Sequence, residues 1–143
     1  MSIQQISIFM ENKTGRLAEM TAALADHQIN MRALSIAETQ DFGILRIIVD
    51  EPEKAASVLQ ETGAVFRMTP VLAVVVPDEP GSMATIVHAL SQKDIAVDYA
   101  YAFITRSVDT ACLILRVKDV AAGEAVLKQI GVQVADDEQL KQL

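Results

Sequence analysis

From Ile3 to Met10 apolar and polar residues alternate, with Ile6, Ile8 and Met10 on one side, which predicts a strand with one buried face. The period then lengthens. Gly15 and Arg16 open a stretch in which Leu17, Met20 and Leu24 share a helical face. Strands are predicted at Met31 to Thr39 and Ile44 to Val49, with Gln40-Asp41-Phe42-Gly43 as a hairpin turn between them. Pro52 starts a second helix with Ala55, Val58, Leu59 and Thr62 on one stripe; Gly63 stops it, and Ala64 to Met68 is a further strand.

The same succession then returns. Asn12-Lys13-Thr14-Gly15-Arg16-Leu17 recurs 66 positions later as Asp78-Glu79-Pro80-Gly81-Ser82-Met83, and Leu24 falls on Leu90. Further on the offset is 68, with Val58-Leu59 on Val126-Leu127 and Gly63 on Gly131. The two-residue change lies between about Ala37 and Asp50, in the connection between third and fourth elements. The second set of elements is Val71 to Val76, Gly81 to Lys93 (with Pro80 suited to a helix's first turn), Ile95 to Thr105, Thr110 to Val117, Val120 to Ile130 and Val132 to Ala135. Asp136 to Leu143 reads as an acidic, Gln-rich tail.

A period this long, holding several elements, marks a duplicated domain and not a solenoid. The expected fold class is α+β: two ferredoxin-like βαββαβ repeats packed together, each an antiparallel sheet with its helices on one face. The boundaries are 1–70, 71–136 and a tail at 137–143. A lone half of roughly 70 residues buries only about 60% of its unfolded surface, which favours packed halves. Ile47-Ile48-Val49 and Leu72 to Val76 are apolar on both sides, so their second face is expected to be covered by the sister half or by another chain.

Charge narrows the partners. The net charge is -7, with Lys+Arg 12 against Asp+Glu 19, and no basic run is present. Nucleic-acid affinity comes mostly from cations neutralising phosphates, so nucleic acid is not an expected partner. No apolar run approaches the 18 or so residues that span a bilayer, and the N-terminal residues lack a charged n-region, so no membrane partner is expected. A lone Cys112 cannot form an internal disulfide. The expected location is the cytoplasm.

With these residues in view, the chain resembles the ACT domain family of small-molecule-sensing modules. The resemblance rests on the acidic/Asn-x-x-Gly-x-Leu turn and on the Ile29-Asn30-Met31 or Ile95-Ala96-Val97 step into the second strand, each seen twice, and covers about Ile3 to Ala135. It implies a free amino acid as ligand, a regulatory and non-catalytic role in amino-acid metabolism, a homodimer, a metabolic enzyme as partner, and no cofactor or metal. The site it implies comprises Asn12, Thr14, Gly15, Arg16, Leu17, Asn30 and Met31. Because ligands of ACT pairs often sit between two domains, Asp78, Gly81 and Ser82 are added as contributors.

Part of this stands on physics alone. A Gly at a strand-helix junction lets a ligand approach the backbone, and the helix's open N–H groups suit a carboxylate. Asn12 and Asn30 supply amide oxygens for an ammonium, and they are expected to converge. Asn12 is equally a helix-capping residue type, Asn30 a turn residue and Arg16 an exposed first-turn cation. The second copy has Asp78 and Ala96 in place of the two Asn, so the first half is expected to be the equipped one.

Other features read as structure. Tyr99, Tyr101 and Phe103 share one strand face and are expected to pack or meet a subunit, more than to stack on bases. His27 and His88 lack a second ligand at i+4, which argues against a metal site. Two alternatives remain: a regulatory subunit acting by protein contact without its own ligand, and an acylphosphatase-like hydrolase, echoed by Lys13 to Arg16 with Asn30.

Overall fold

The computed structural model describes residues 2–143. The chain divides into two compact units, Gln4–Thr69 and Pro70–Leu143, the second taking in Ile3 as well. The first contains β1 (Ile3–Glu11), α1 (Arg16–Asp26), β2 (Met31–Glu38), β3 (Phe42–Val49), α2 (Pro52–Glu61) and the beginning of β4 (Val65–Pro77). Its strands lie in the order β4-β1-β3-β2, with β3 antiparallel to both β1 and β2. The second unit takes the rest of β4, then α3 (Ser82–Ser91), β5 (Tyr99–Phe103), β6 (Thr110–Arg116), α4 (Val120–Gln129), β7 (Gln133–Ala135) and α5 (Asp137–Gln142). Its strand order is β5-β6-β4-β7, all neighbours antiparallel.

The alternation read along β1 and β3 builds the first core. Ile6 and Ile8 point the same way as Leu45, Ile47 and Val49, and Leu24 of α1 and Ala55, Val58 and Leu59 of α2 close over them. In the second unit Leu72, Val74 and Val76 meet Ile86, Leu90, Leu115 and Leu127 in the same manner. Opposite strand faces are also apolar, as the sequence required: Ile48, Val71, Ala73, Cys112 and Ile114 are buried. Tyr99, Tyr101 and Phe103 share one such face, the Tyr rings 6.5 Å apart and Phe103 buried. Gly123 lets α4 approach the core, since a Cβ there would lie 3.1 Å from both Leu72 and Val117.

The duplication extends to single hydrogen bonds. Asn12 N–H donates to Asp41 C=O at 3.0 Å, and Asp78 N–H to Asp109 C=O at 2.9 Å. Glu19 N–H reaches Gly15 C=O as Thr85 N–H reaches Gly81 C=O, and Ala64 N–H meets Leu59 C=O as Val132 N–H meets Leu127 C=O. Even the rare left-handed residues correspond, Gln28 at φ 56° and Asp94 at φ 57°. Asp41 therefore matches Asp109, which puts the two-residue change in the β2–β3 hairpin and its longer counterpart before Thr110.

Several element boundaries differ from the sequence reading. Ala64 to Met68 and Val71 to Val76 are one strand, β4, which continues through Pro70. Proline removes a donor but not an acceptor, and the Pro70 carbonyl takes a 2.7 Å bond from Arg116 Nη1. Pro80 precedes α3 instead of opening it. The second strand of the second unit is shorter than expected, Tyr99–Phe103 against Ile95 to Thr105. The tail is not loose: Asp136 and Gln139 form a reciprocal capping box at the start of α5, and Leu140 is buried. That pairing turns a polar segment into a helix because one apolar side chain has somewhere to go.

Candidate functional site

The turn between β1 and α1 is built on its backbone. Arg16 N–H closes onto Lys13 C=O at 3.2 Å, and Gly15 lies at φ 90°, ψ −13°. Those are the angles of the third residue of a type II turn, which favours glycine. No side chain caps α1. Arg16 and Glu19 use Lys13 and Gly15 carbonyls, while the N–H groups of Leu17 and Ala18 find no carbonyl partner. They stand open at the positive end of the helix. The Asn12 side chain is exposed and makes no hydrogen bond within the described residues. The capping alternative for Asn12 is thus not realised. Thr14 is exposed and Leu17 is 38% exposed.

Arg16 is an unusual choice at this place, because a cation at a helix N-terminus is repelled by the dipole. Its guanidinium lies 3.4 Å from the Glu19 carboxylate one turn on, which offsets the repulsion. Glu11, at the end of β1, pairs with Lys13 at 2.7 Å. The hydrogen bond from Lys13, reinforced by its charge, holds the Glu11 carboxyl below the usual range.

Asn12 and Asn30 do not converge within the unit. Asn12 bonds to Asp41 just before β3, whereas Asn30 is tied to Asp50 just after it: Asn30 N–H donates to the Asp50 carboxylate at 3.0 Å and Asn30 C=O accepts from Asp50 N–H at 3.2 Å. Spanning β3 from Phe42 to Val49 at ~3.3 Å per residue separates them by about 25 Å. The reason is topological. A strand-helix-strand crossover returns the second strand parallel to the first, so the start of β2 lies with the start of β1, not with its end. Met31 pairs with Val49 and packs on the core beside Asn30.

The turn does border a cavity that the sequence reading missed. A pocket of about 480 Å³ opens between the end of β1, α1, the end of α2 and the start of β4. Glu11, Arg16 and Glu19 contribute charge to its wall; Met10, Met20, Ala23 and Ala64 contribute apolar surface. Phe9, Phe42 and Val65 complete the lining and are 56%, 51% and 70% exposed. Of the residues expected at the site, Arg16 alone lines it. Its helical part was legible as Arg16, Glu19, Met20 and Ala23 at i, i+3, i+4 and i+7. Thr62 to Val65 join only through the fold.

The second unit repeats the backbone with different chemistry. Gly81 lies at φ 94°, ψ −12°, and Ser82 N–H closes onto Glu79 C=O at 3.4 Å, with Pro80 at the turn's second position. The Ser82 hydroxyl donates back to Pro77 C=O at 2.7 Å, so it is occupied in the turn. Asp78 stands where Asn12 does. Among the described residues no group of three His, Cys, Asp or Glu could hold a metal, and no helix is long and apolar enough to cross a membrane.

The family model for an ACT domain pair matches residues 1–143. The chain belongs to that family. Its structure is similar to the crystal structure of protein BT0572 from Bacteroides thetaiotaomicron, at 37% identity and a TM-score of 0.92, covering 100% of this chain and 98% of that one. The regulatory subunit of aspartate kinase from Thermus thermophilus shares the fold at 15% identity and a TM-score of 0.66, over 90% and 91% of the two chains. The subunit from Thermus flavus does so at 14% identity and a TM-score of 0.61, over 90% and 92%. No curated protein matches. The turns at Gly15 and Gly81 hold equivalent places in the two units, each at a strand-helix junction with glycine in the left-handed region.

Proposed function

We propose that this protein is a non-catalytic sensor that binds a free amino acid in its first unit and regulates a metabolic enzyme. The observation that carries the reading is the β1–α1 turn: Gly15 at φ 90° leaves the Leu17 and Ala18 N–H groups open, and the Asn12 side chain in the same turn is unbonded among the described residues. Two convergent donors at a helix N-terminus suit a carboxylate, and Asn12 adds an acceptor for an ammonium. Membership of the ACT domain pair family supports the reading, as does the fold shared with a protein named as a regulatory subunit. A homodimer and an enzyme partner belong to the same proposal, as do contributions from Asp78, Gly81 and Ser82. Asn30 and Met31 enter it as a separate contact, about 25 Å from Asn12.

The test is thermal unfolding of the protein against each of the twenty amino acids. A ligand at 100 times its Kd adds about 2.7 kcal/mol of stability. We expect a clear upward shift with a small subset, diminished in Asn12→Ala. If none of the twenty moves the transition, amino-acid sensing is refuted.

A second reading, regulation by protein contact alone, draws on apolar residues left at the surface, including Leu34 at 45% and Ile36 at 47% exposure. A strictly monomeric protein that retains no partner through purification would count against it.

A further inference from the structure

The pocket of the first unit combines two chemistries that a single small molecule can satisfy together. Its floor is apolar and adaptable: Met10, Met20, Ala23 and Ala64 are half-buried, each packed against the core on its inner side. Two thioethers in one wall let it fit side chains of different shape. Its rim carries both signs of charge, Arg16 between Glu11 and Glu19. Those groups are engaged only in exposed ion pairs, Arg16 with Glu19 and Glu11 with Lys13, with side-chain exposures from 45% to 72%. Exposed pairs contribute little and exchange partners readily. The volume, about 480 Å³, falls in the range of small-molecule sites.

The second unit supplies an internal comparison. At the positions equivalent to Glu11, Arg16 and Glu19 it has Pro77, Ser82 and Thr85, so the charged rim is absent. Met20 is replaced by Ile86, which is fully buried in the core, and Ala64 by the larger Val132. One copy keeps Met20 and Ala64 under a charged rim; the other has Ile86 and Val132 there and none of the three charges. A purely architectural element gives no reason for that difference.

We infer that this pocket selects the side chain of the bound amino acid, and that the ligand is one with a large apolar side chain, such as phenylalanine, leucine or methionine. The inference rests on the sensing function proposed above. Arg16 adds its charge to the Leu17 and Ala18 N–H groups at the ligand carboxylate, Glu11 and Glu19 join Asn12 at its ammonium, and the side chain lies on Met10, Met20, Ala23 and Ala64. Glycine or serine would leave that floor wet, and aspartate or lysine would bury a charge on it.

Isothermal titration of the full chain with phenylalanine, leucine, methionine, glycine, serine, aspartate and lysine tests this. One of the first three binds at least about tenfold more tightly than glycine or serine, as burial of a large apolar side chain requires. Methyl NMR of the unmodified protein shows the Met10 and Met20 signals shifting on binding. Ala23→Leu, which fills the floor, weakens the large ligand by about tenfold or more, and Glu19→Gln weakens it as well. Tightest binding of serine, aspartate or lysine overturns the side-chain assignment and leaves sensing intact. Tight binding of phenylalanine with unmoved Met10 and Met20 signals overturns the pocket, whether or not Ala23→Leu folds. No shift with any of the twenty amino acids in thermal unfolding removes the sensing function itself.

Discussion

Gly15 and Gly81 are one residue in two contexts, and comparing them separates folding from function. Both occupy the left-handed region at almost the same angles, and a Cβ at either would meet no atom within 4 Å. An alanine is therefore penalised by backbone strain alone, about 1–2 kcal/mol. Denaturant unfolding of Gly15→Ala and Gly81→Ala should give similar losses, while ligand affinity should fall in Gly15→Ala only. Glu11 makes a related point with charge. Lys13 holds its carboxyl below the usual range, so the pair's contribution is present above about pH 4.5 and is lost as pH falls through the depressed value. Lys13→Ala should return the Glu11 titration, followed by NMR, toward the ordinary carboxylate range.

At the scale of elements, the period of apolar residues revealed strands and helices, and their neighbours decided where each ended. The β1, α1 and α2 patterns were legible because each buries one stripe, and burial is what the period records. Pro70 did not break β4, since its carbonyl is used by Arg116 and only a donor is lost. The α5 helix was unreadable from its polar residues; Leu140 and the capping box make it. Asp136→Ala should destabilise the second unit by about 1 kcal/mol, measured by chemical denaturation. In α4, Gly123→Ala sets a gain in helix propensity of about 1 kcal/mol against overpacking on Leu72 and Val117, both fully buried. The net result should be a loss of stability, seen as a lower denaturation midpoint.

On the whole-molecule scale, duplication gives two equivalent turns, and chemistry distinguishes them. The first has an open Asn12 side chain and a charged trio; the second has a hydroxyl spent on its own turn. Titration should therefore find one amino acid per chain and not two. A stoichiometry of two would mean that the backbone turn suffices and that the side chains around Gly15 are incidental.

The sequence by itself determined the succession of strands and helices, the two glycine turns and the different residues around them, because periodicity, turn chemistry and repetition are local properties of a chain. Tertiary structure alone decided which of these residues meet. It set Asn12 and Asn30 at opposite ends of β3, because a crossover connection makes β1 and β2 parallel, and it brought the end of α2 to the wall beside Arg16. Sequence spacing carries no distance across a sheet. That is why the turn could be read in advance and the pocket could not.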